Sequence, residues 1–119
     1  MTKDSSCSLH PYFKIRDGQF DAFRKLCDQF VEKTSREAGC LFYGFSFDGD
    51  QAFCREGYVD AKGILAHLEN VGDLFAEVLK IADLTRIEVH GPAAELERLR
   101  EPLASLSPQF FSVEYGFRN

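Results

Sequence analysis

The chain has 119 residues, 45% of them apolar, with a formal charge of −5 and an isoelectric point near 5.1. A single domain of this size buries roughly two thirds of the surface its unfolded chain would expose, so a core can form without staples. The acidic balance and the lack of a Lys/Arg-rich run exclude nucleic acid and anionic lipid as partners, and no apolar stretch reaches the ~20 residues of a membrane span.

Residues 1–8 read as a polar, disordered leader without the apolar run of a signal peptide, so a cytoplasmic location is expected. Residues 9–15 (LHPYFKI) have the composition of a first strand. From Gln19 to Arg36, Phe20, Phe23, Cys27, Phe30, Val31 and Thr34 recur at helical spacing as one apolar stripe. Gly39 stands where a left-handed residue ends a helix. Strands are predicted over 40–47 and 52–59, joined by the hairpin signal Asp48-Gly49-Asp50. Asp60 is the expected N-cap of a helix from Ala61 to about Glu69. Asn70–Gly72 interrupts the pattern, and Asp73 opens a further helix with Leu74, Phe75, Val78, Leu79 and Ala82 inward. Residues 85–90 (TRIEVH) alternate as a half-buried strand does, Gly91-Pro92 stops them, and Ala93–Arg100 forms a short charged helix. Gln109–Phe117 is again aromatic and strand-like. Cysteines at 7, 27, 40 and 54 form no CxxC pair and are expected to be reduced, mostly buried thiols.

The order β-α-β-β-α(α)-β predicts an α+β fold, the ferredoxin-like split βαβ arrangement with an antiparallel sheet. It forms a single domain over 9–119, with a helix and strand extension from about residue 92. Such a sheet has a second face to cover, and Phe13, Phe42, Phe53, Val59, Phe110 and Phe111 compete for cover there. A homodimer packed sheet against sheet is therefore expected.

Three stretches carry a family resemblance: Gly39-Cys-Leu-Phe-Tyr43, then Arg55-Glu56-Gly-Tyr58-Val-Asp60-Ala61, then Leu65-Ala-His67-Leu68. In order and spacing the segment resembles the antibiotic biosynthesis monooxygenase-type domain over about residues 9–90. That resemblance implies a dimeric α/β barrel. It places the chain among cofactor-free oxygenases of aromatic polyketides, haem-degrading enzymes, isomerases of signalling molecules and relatives without an assigned reaction. The chain has no Trp, whereas the haem-degrading and polyketide-oxygenase branches use tryptophans; Tyr58 stands where many relatives have one. The tail after Gly91 is unlike the short relatives.

Physical reading of the same segment brings out a candidate site. On a helical wheel centred on Ile64, Leu68, Val71 and Phe75 fall within about 40°, and His67 falls about 60° to one side, at the border of the apolar stripe. It can look into the space between helix and sheet as a general base or a hydrogen-bond donor, or bond locally as a boundary histidine. Glu56 and Tyr58 share a strand face. A hairpin loop of two or four residues sets Tyr43 opposite Glu56 and Phe45 opposite Cys54; a loop of three pairs Tyr43 with Arg55, and both registers stay open. A glutamate on an aromatic face needs a partner, so Glu56 pairs with His67, bonds Tyr43, or keeps its proton and serves as a base itself. Arg55, on the other face, is assigned to a dimer salt bridge.

His10 and His90 lie at strand ends without a second ligand at i+2 or i+4, so no metal site is expected. No GxGxxG, phosphate loop or nucleophile elbow occurs, and no nucleotide, flavin or other cofactor is expected. Two function classes remain. One is a cofactor-independent monooxygenase or related isomerase acting on a small hydrophobic, enolisable compound. Its catalytic groups would be His67 and Glu56, with Tyr43, Tyr58, Phe45 and Cys54 against the substrate. The other is a non-catalytic dimer that binds a small ligand or serves as an assembly module.

Overall fold

The computed structural model describes residues 3–119, in the order β1 (Cys7–Ile15), α1 (Phe20–Thr34), β2 (Cys40–Asp48), β3 (Gln51–Tyr58), α2 (Ala61–Asn70), α3 (Gly72–Val78), β4 (Ala82–Gly91), α4 (Ala93–Arg100) and β5 (Gln109–Ser112). The strands form one open sheet in the order β2-β3-β1-β4-β5. Its first four strands pair antiparallel in the ferredoxin-like arrangement, and β5 adds in parallel beside β4. Among the described residues no helix is long and apolar enough to cross a membrane.

Strand alternation sorts the side chains between the two faces. Leu9, Phe13 and Ile15 of β1, Ala52 and Cys54 of β3, and Ile87 and Val89 of β4 are buried under the helices. There they pack in two clusters, one with Ile64, Leu96 and Leu99, the other with Phe23, Phe30, Leu74 and Val78. Each Leu, Ile, Val or Phe side chain among them contributes about 1.5–3 kcal/mol when fully buried. The opposite face carries Ser8, His10 and Tyr12 of β1, Phe53 and Arg55 of β3, and Glu88 and His90 of β4, none of them buried. Phe13 therefore belongs to the core, and Phe110 packs against the first cluster, so neither competes for the open face.

Several sequence expectations shift by a few residues. Cys7 and Ser8, read as the end of the leader, belong to β1, because Cys7 is buried and pairs with Tyr58; Met1 and Thr2 lie outside the described residues. Val31 and Leu79 face solvent, since the core-facing arcs of α1 and α3 are taken by Phe30 and Val78. Ala82 is buried as the first residue of β4, not on α3. β5 ends at Ser112, and Tyr115 and Phe117 are exposed beyond it.

Gly39 is not a left-handed stop: α1 ends at Thr34 with Ser35 still in the right-handed region, φ −59° and ψ −19°. Gly39 is needed for close approach instead. A Cβ there would lie 3.2 Å from the Gly63 Cα, and one at Gly63 would lie 3.1 Å from the Gly39 carbonyl oxygen. The turn after α1 is thus pressed against the first turn of α2.

Candidate active site

The hairpin turn decides which groups meet. Asp48 pairs with Gln51 around a two-residue loop in which Gly49 takes φ +60°, a conformation that glycine adopts without steric cost. With that loop Tyr43 pairs with Glu56 and Phe45 with Cys54, and all four side chains point toward the helices. Arg55 lands on the other face, its guanidinium 4.5 Å from the centre of the Phe42 ring.

His67 is brought over this patch by α2, whose start is held by Asp60: its side chain accepts a 3.0 Å hydrogen bond from the Gly63 N–H. The expected cap is in place. His67 is more deeply placed than a boundary position, at 2% exposure. Its ring lies between those of Tyr43 and Tyr58, 5.3 Å from each. Nδ1 is bonded to the Glu37 carboxylate at 2.9 Å, and Nε2 lies 3.3 Å from Glu56 Oε1. Asn70 donates to the same Glu37 oxygen at 2.8 Å, and Tyr58 donates its hydroxyl to Glu56 Oε1 at 2.6 Å. The result is a continuous chain, Asn70–Glu37–His67–Glu56–Tyr58, that runs from a half-buried end at Asn70 to fully buried groups at Glu56 and Tyr58.

Burial without a cation beside it drives the ionisation of this chain toward neutral forms. Loss of hydration pushes the Glu56 carboxyl up to about 8, outweighing the hydrogen bonds from Tyr58 and Cys54 that act the other way, while Glu37 raises it further. Burial also lowers the His67 pKa, against the opposing pull of Glu37. At neutral pH the pair therefore consists of a protonated Glu56 and an uncharged His67, a weak acid next to a weak base. Burial and the neighbouring Glu56 raise the Tyr43 phenol and the Cys54 thiol well above their ordinary values.

Glu56 and His67 border a cavity of about 30 Å³, walled by Phe23, Phe30, Phe45 and Phe75. This is room for one or two waters, well below the few hundred Å³ of a ligand site. Tyr43, Phe45 and Cys54 line it. Tyr58 stands behind Glu56, completely buried, with its hydroxyl committed to that carboxyl.

Two participants escape sequence reading. Glu37 lies in the irregular turn before Gly39, where no periodicity marks its direction; its contact with His67 spans thirty positions. Asn70, read as a helix breaker, is the last residue of α2 and holds Glu37. The sole available cue was an acidic residue just ahead of the family-like Gly39 segment.

No protein-family model matches the chain, and no curated protein matches it in sequence. Solved structures do. MupZ from Pseudomonas fluorescens is 50% identical, with 96% of this chain and 94% of that one covered and a TM-score of 0.92. Rv0793 from Mycobacterium tuberculosis is 26% identical over 74% of this chain and 95% of its own, at TM-score 0.65. A candidate antibiotic biosynthesis monooxygenase from Chloroflexus aurantiacus shares the fold at 24% identity and TM-score 0.62, over 75% of this chain and 94% of its own. The last two leave about a quarter of the chain unmatched, whereas MupZ accounts for nearly all of it.

Proposed function

The chain belongs to one family with MupZ and has the antibiotic biosynthesis monooxygenase-type fold, and we propose that it is a cofactor-independent proton-transfer enzyme acting on a small, largely apolar, enolisable compound. The observation that carries this reading is the buried Glu37–His67–Glu56–Tyr58 chain ending on an aromatic-walled cavity. Burying such a network is costly, and a core that needed only packing would fill the same volume with apolar side chains.

In the proposed reaction His67 Nε2 removes the proton from the carbon next to a substrate carbonyl, and Glu56 delivers its proton to the carbonyl oxygen. A C–H bond breaks, an O–H bond forms, and the product is the enol. Glu37 holds the imidazole through Nδ1 and stabilises the imidazolium that forms, while Tyr58 positions Glu56. Two fates follow. Reprotonation at a different carbon gives an isomerase. Attack of the enol carbon on O2 gives a hydroperoxide at that carbon. Loss of the carbon's second hydrogen with cleavage of the O–O bond then releases water and leaves a carbonyl, a monooxygenation in which the substrate itself supplies the two electrons. Entry of a substrate requires the half-buried Leu26, Leu68, Phe75 and Leu106 to yield, since all four line the narrow cavity.

The test is exchange of the α-protons of 2-tetralone for deuterium in D2O, followed by NMR, with an oxygen electrode run in parallel. Acceleration by the wild type that is lost in Glu56→Gln and His67→Ala, with circular dichroism unchanged, is the expected outcome; oxygen uptake then separates the two fates. Wild-type exchange no faster than buffer, for this and for aliphatic 2-alkanones, leaves the non-catalytic alternative.

The open sheet face supports a homodimer as the working unit. His10, His90 and Phe111 follow one another as tilted rings with centroids 4.2 and 4.9 Å apart, and Tyr12 meets Phe53 at 4.8 Å. With Phe42 and Phe111 exposed beside them, they make an aromatic surface of the kind that a second copy covers. Sedimentation equilibrium should report a dimer for the wild type and a monomer for Phe53→Arg; a monomeric wild type would refute it.

A further inference from the structure

The inner cavity is too small for the substrate it is proposed to hold, which directs attention to what adjoins it. A second cleft, of about 220 Å³, lies between the end of α1, the turn after it and the start of the edge strand β2. Tyr43 is the side chain common to the walls of both spaces. Glu37, which holds His67, also lines the cleft. Its rim is apolar and exposed: Val31 at 46% and Leu41 at 44%.

Thr34 lines the same cleft. It is 1% exposed, and its hydroxyl is the one buried side-chain polar atom without a hydrogen bond of good geometry among the described residues. A hydroxyl in that state costs stability that folding does not recover, and a group from a bound ligand would satisfy it. No Lys or Arg lines either space, so an anionic ligand group finds no counter-charge there, and the nearby Glu37 would repel it.

We propose that the cleft at Val31, Thr34 and Leu41 is an outer subsite that takes the distal, hydroxyl-bearing part of an elongated neutral substrate. In this arrangement Tyr43 is the partition that swings aside to join cleft and inner cavity. The inference rests on the proton-transfer reading and adds a substrate class to it: an uncharged, mostly aliphatic chain, with a carbonyl at the Glu56 end and a hydroxyl at the Thr34 end.

The experiment uses 2-alkanones of graded length, each with and without a terminal hydroxyl, titrated into labelled full-length protein and followed by NMR. At the length that spans both spaces the hydroxylated member should bind about three- to ten-fold tighter, the range of one neutral hydrogen bond. It should shift signals of Val31 and Leu41 together with those of Leu68 and Val71. Thr34→Val should remove the hydroxyl preference and keep the affinity for the plain ketone. Val31→Phe, at an exposed position that tolerates substitution, should do the same by filling the cleft. Shifts confined to Leu68 and Val71, or a hydroxyl preference that survives both variants, overturn the subsite while leaving the inner acid and base standing. If no ketone binds and none exchanges its α-protons, the proton-transfer reading fails and takes the subsite with it.

Discussion

Raising the pH from 6.5 to 8 should weaken the fold by about 1 kcal/mol through the Glu56–His67 pair alone. A proton that only the folded state retains is worth about 1.4 kcal/mol per pH unit, and each end of this window is the midpoint of one titration. In the unfolded chain Glu56 and His67 titrate near their ordinary values of 4.5 and 6.5, whereas in the folded chain Glu56 keeps its proton to about 8 and His67 stays neutral. The raised Glu56 contributes stability that is fully present below 4.5 and lost as pH rises through 8. The lowered His67 does the reverse: its contribution is complete above 6.5 and is lost as the pH falls. Between 4.5 and 6.5 the unfolded pair holds one proton, on the histidine, and the folded pair holds one, on the glutamate. The two effects cancel and the profile is flat. Above 6.5 the unfolded pair holds none while the folded pair still holds one, and stability falls until Glu56 ionises.

Replacing Glu56 by Gln removes one half of this balance. The variant should gain stability with pH up to 6.5 and stay level beyond it, the opposite shape to the wild type. Urea melts followed by circular dichroism across the window give both curves, and groups such as His10 and Glu88 cancel when the curves are subtracted. Parallel profiles for the two proteins would refute the assignment of a retained proton to Glu56.

Tyr58→Phe deletes the donor to Glu56 Oε1; it should push the Glu56 titration still higher and cost about 1–3 kcal/mol, read by carboxyl 13C NMR and urea melts, and an unmoved carboxyl would contradict the geometry. Glu37→Gln keeps an acceptor for His67 Nδ1–H but removes the charge that favours the imidazolium, so imidazole 15N shifts should show His67 staying neutral to lower pH than in the wild type. Asp60→Ala removes the cap of α2 and should cost about 1 kcal/mol, seen as a lower Tm; an unchanged Tm would mean that the cap is replaced by water.

The sequence makes the inward face of the hairpin legible because its cues are local. Gly49 marks the turn, strand parity groups Glu56 with Tyr58, and the α2 periodicity aims His67 at them. Even the choice of register came down to loop length, which the two-residue turn resolves in favour of Tyr43 opposite Glu56. What local patterns cannot convey is how far one element is pressed into another. His67 reads as a boundary residue on the wheel of α2 and is buried because the turn carrying Glu37 closes over it. Val31 fits the apolar stripe of α1 by spacing but falls outside the arc that the sheet covers. Gln109–Phe117 has strand composition throughout, but β4 pairs only with residues 109–112, in parallel, and composition carries no information on partner or direction. Thr34 reads as one more member of the stripe, and nothing in the sequence indicates that its hydroxyl is left without a hydrogen bond of good geometry.

The contact between Gly39 and Gly63 bears on how this molecule would respond to change at every position. The Gly39 carbonyl accepts from the Val59 N–H at 2.9 Å while its α-carbon abuts Gly63, so the turn bearing Glu37 and the helix bearing His67 are spaced by two residues that have no side chain. A saturation screen scored on turnover would find Gly39 and Gly63 as intolerant as His67, though neither touches a proton. A single added methyl group there would wedge the base away from its carboxylate partner. Activity loss alone would enrol both glycines as catalytic; paired with the titration of Glu56, the same screen would sort those that fail by shape from those that fail by chemistry.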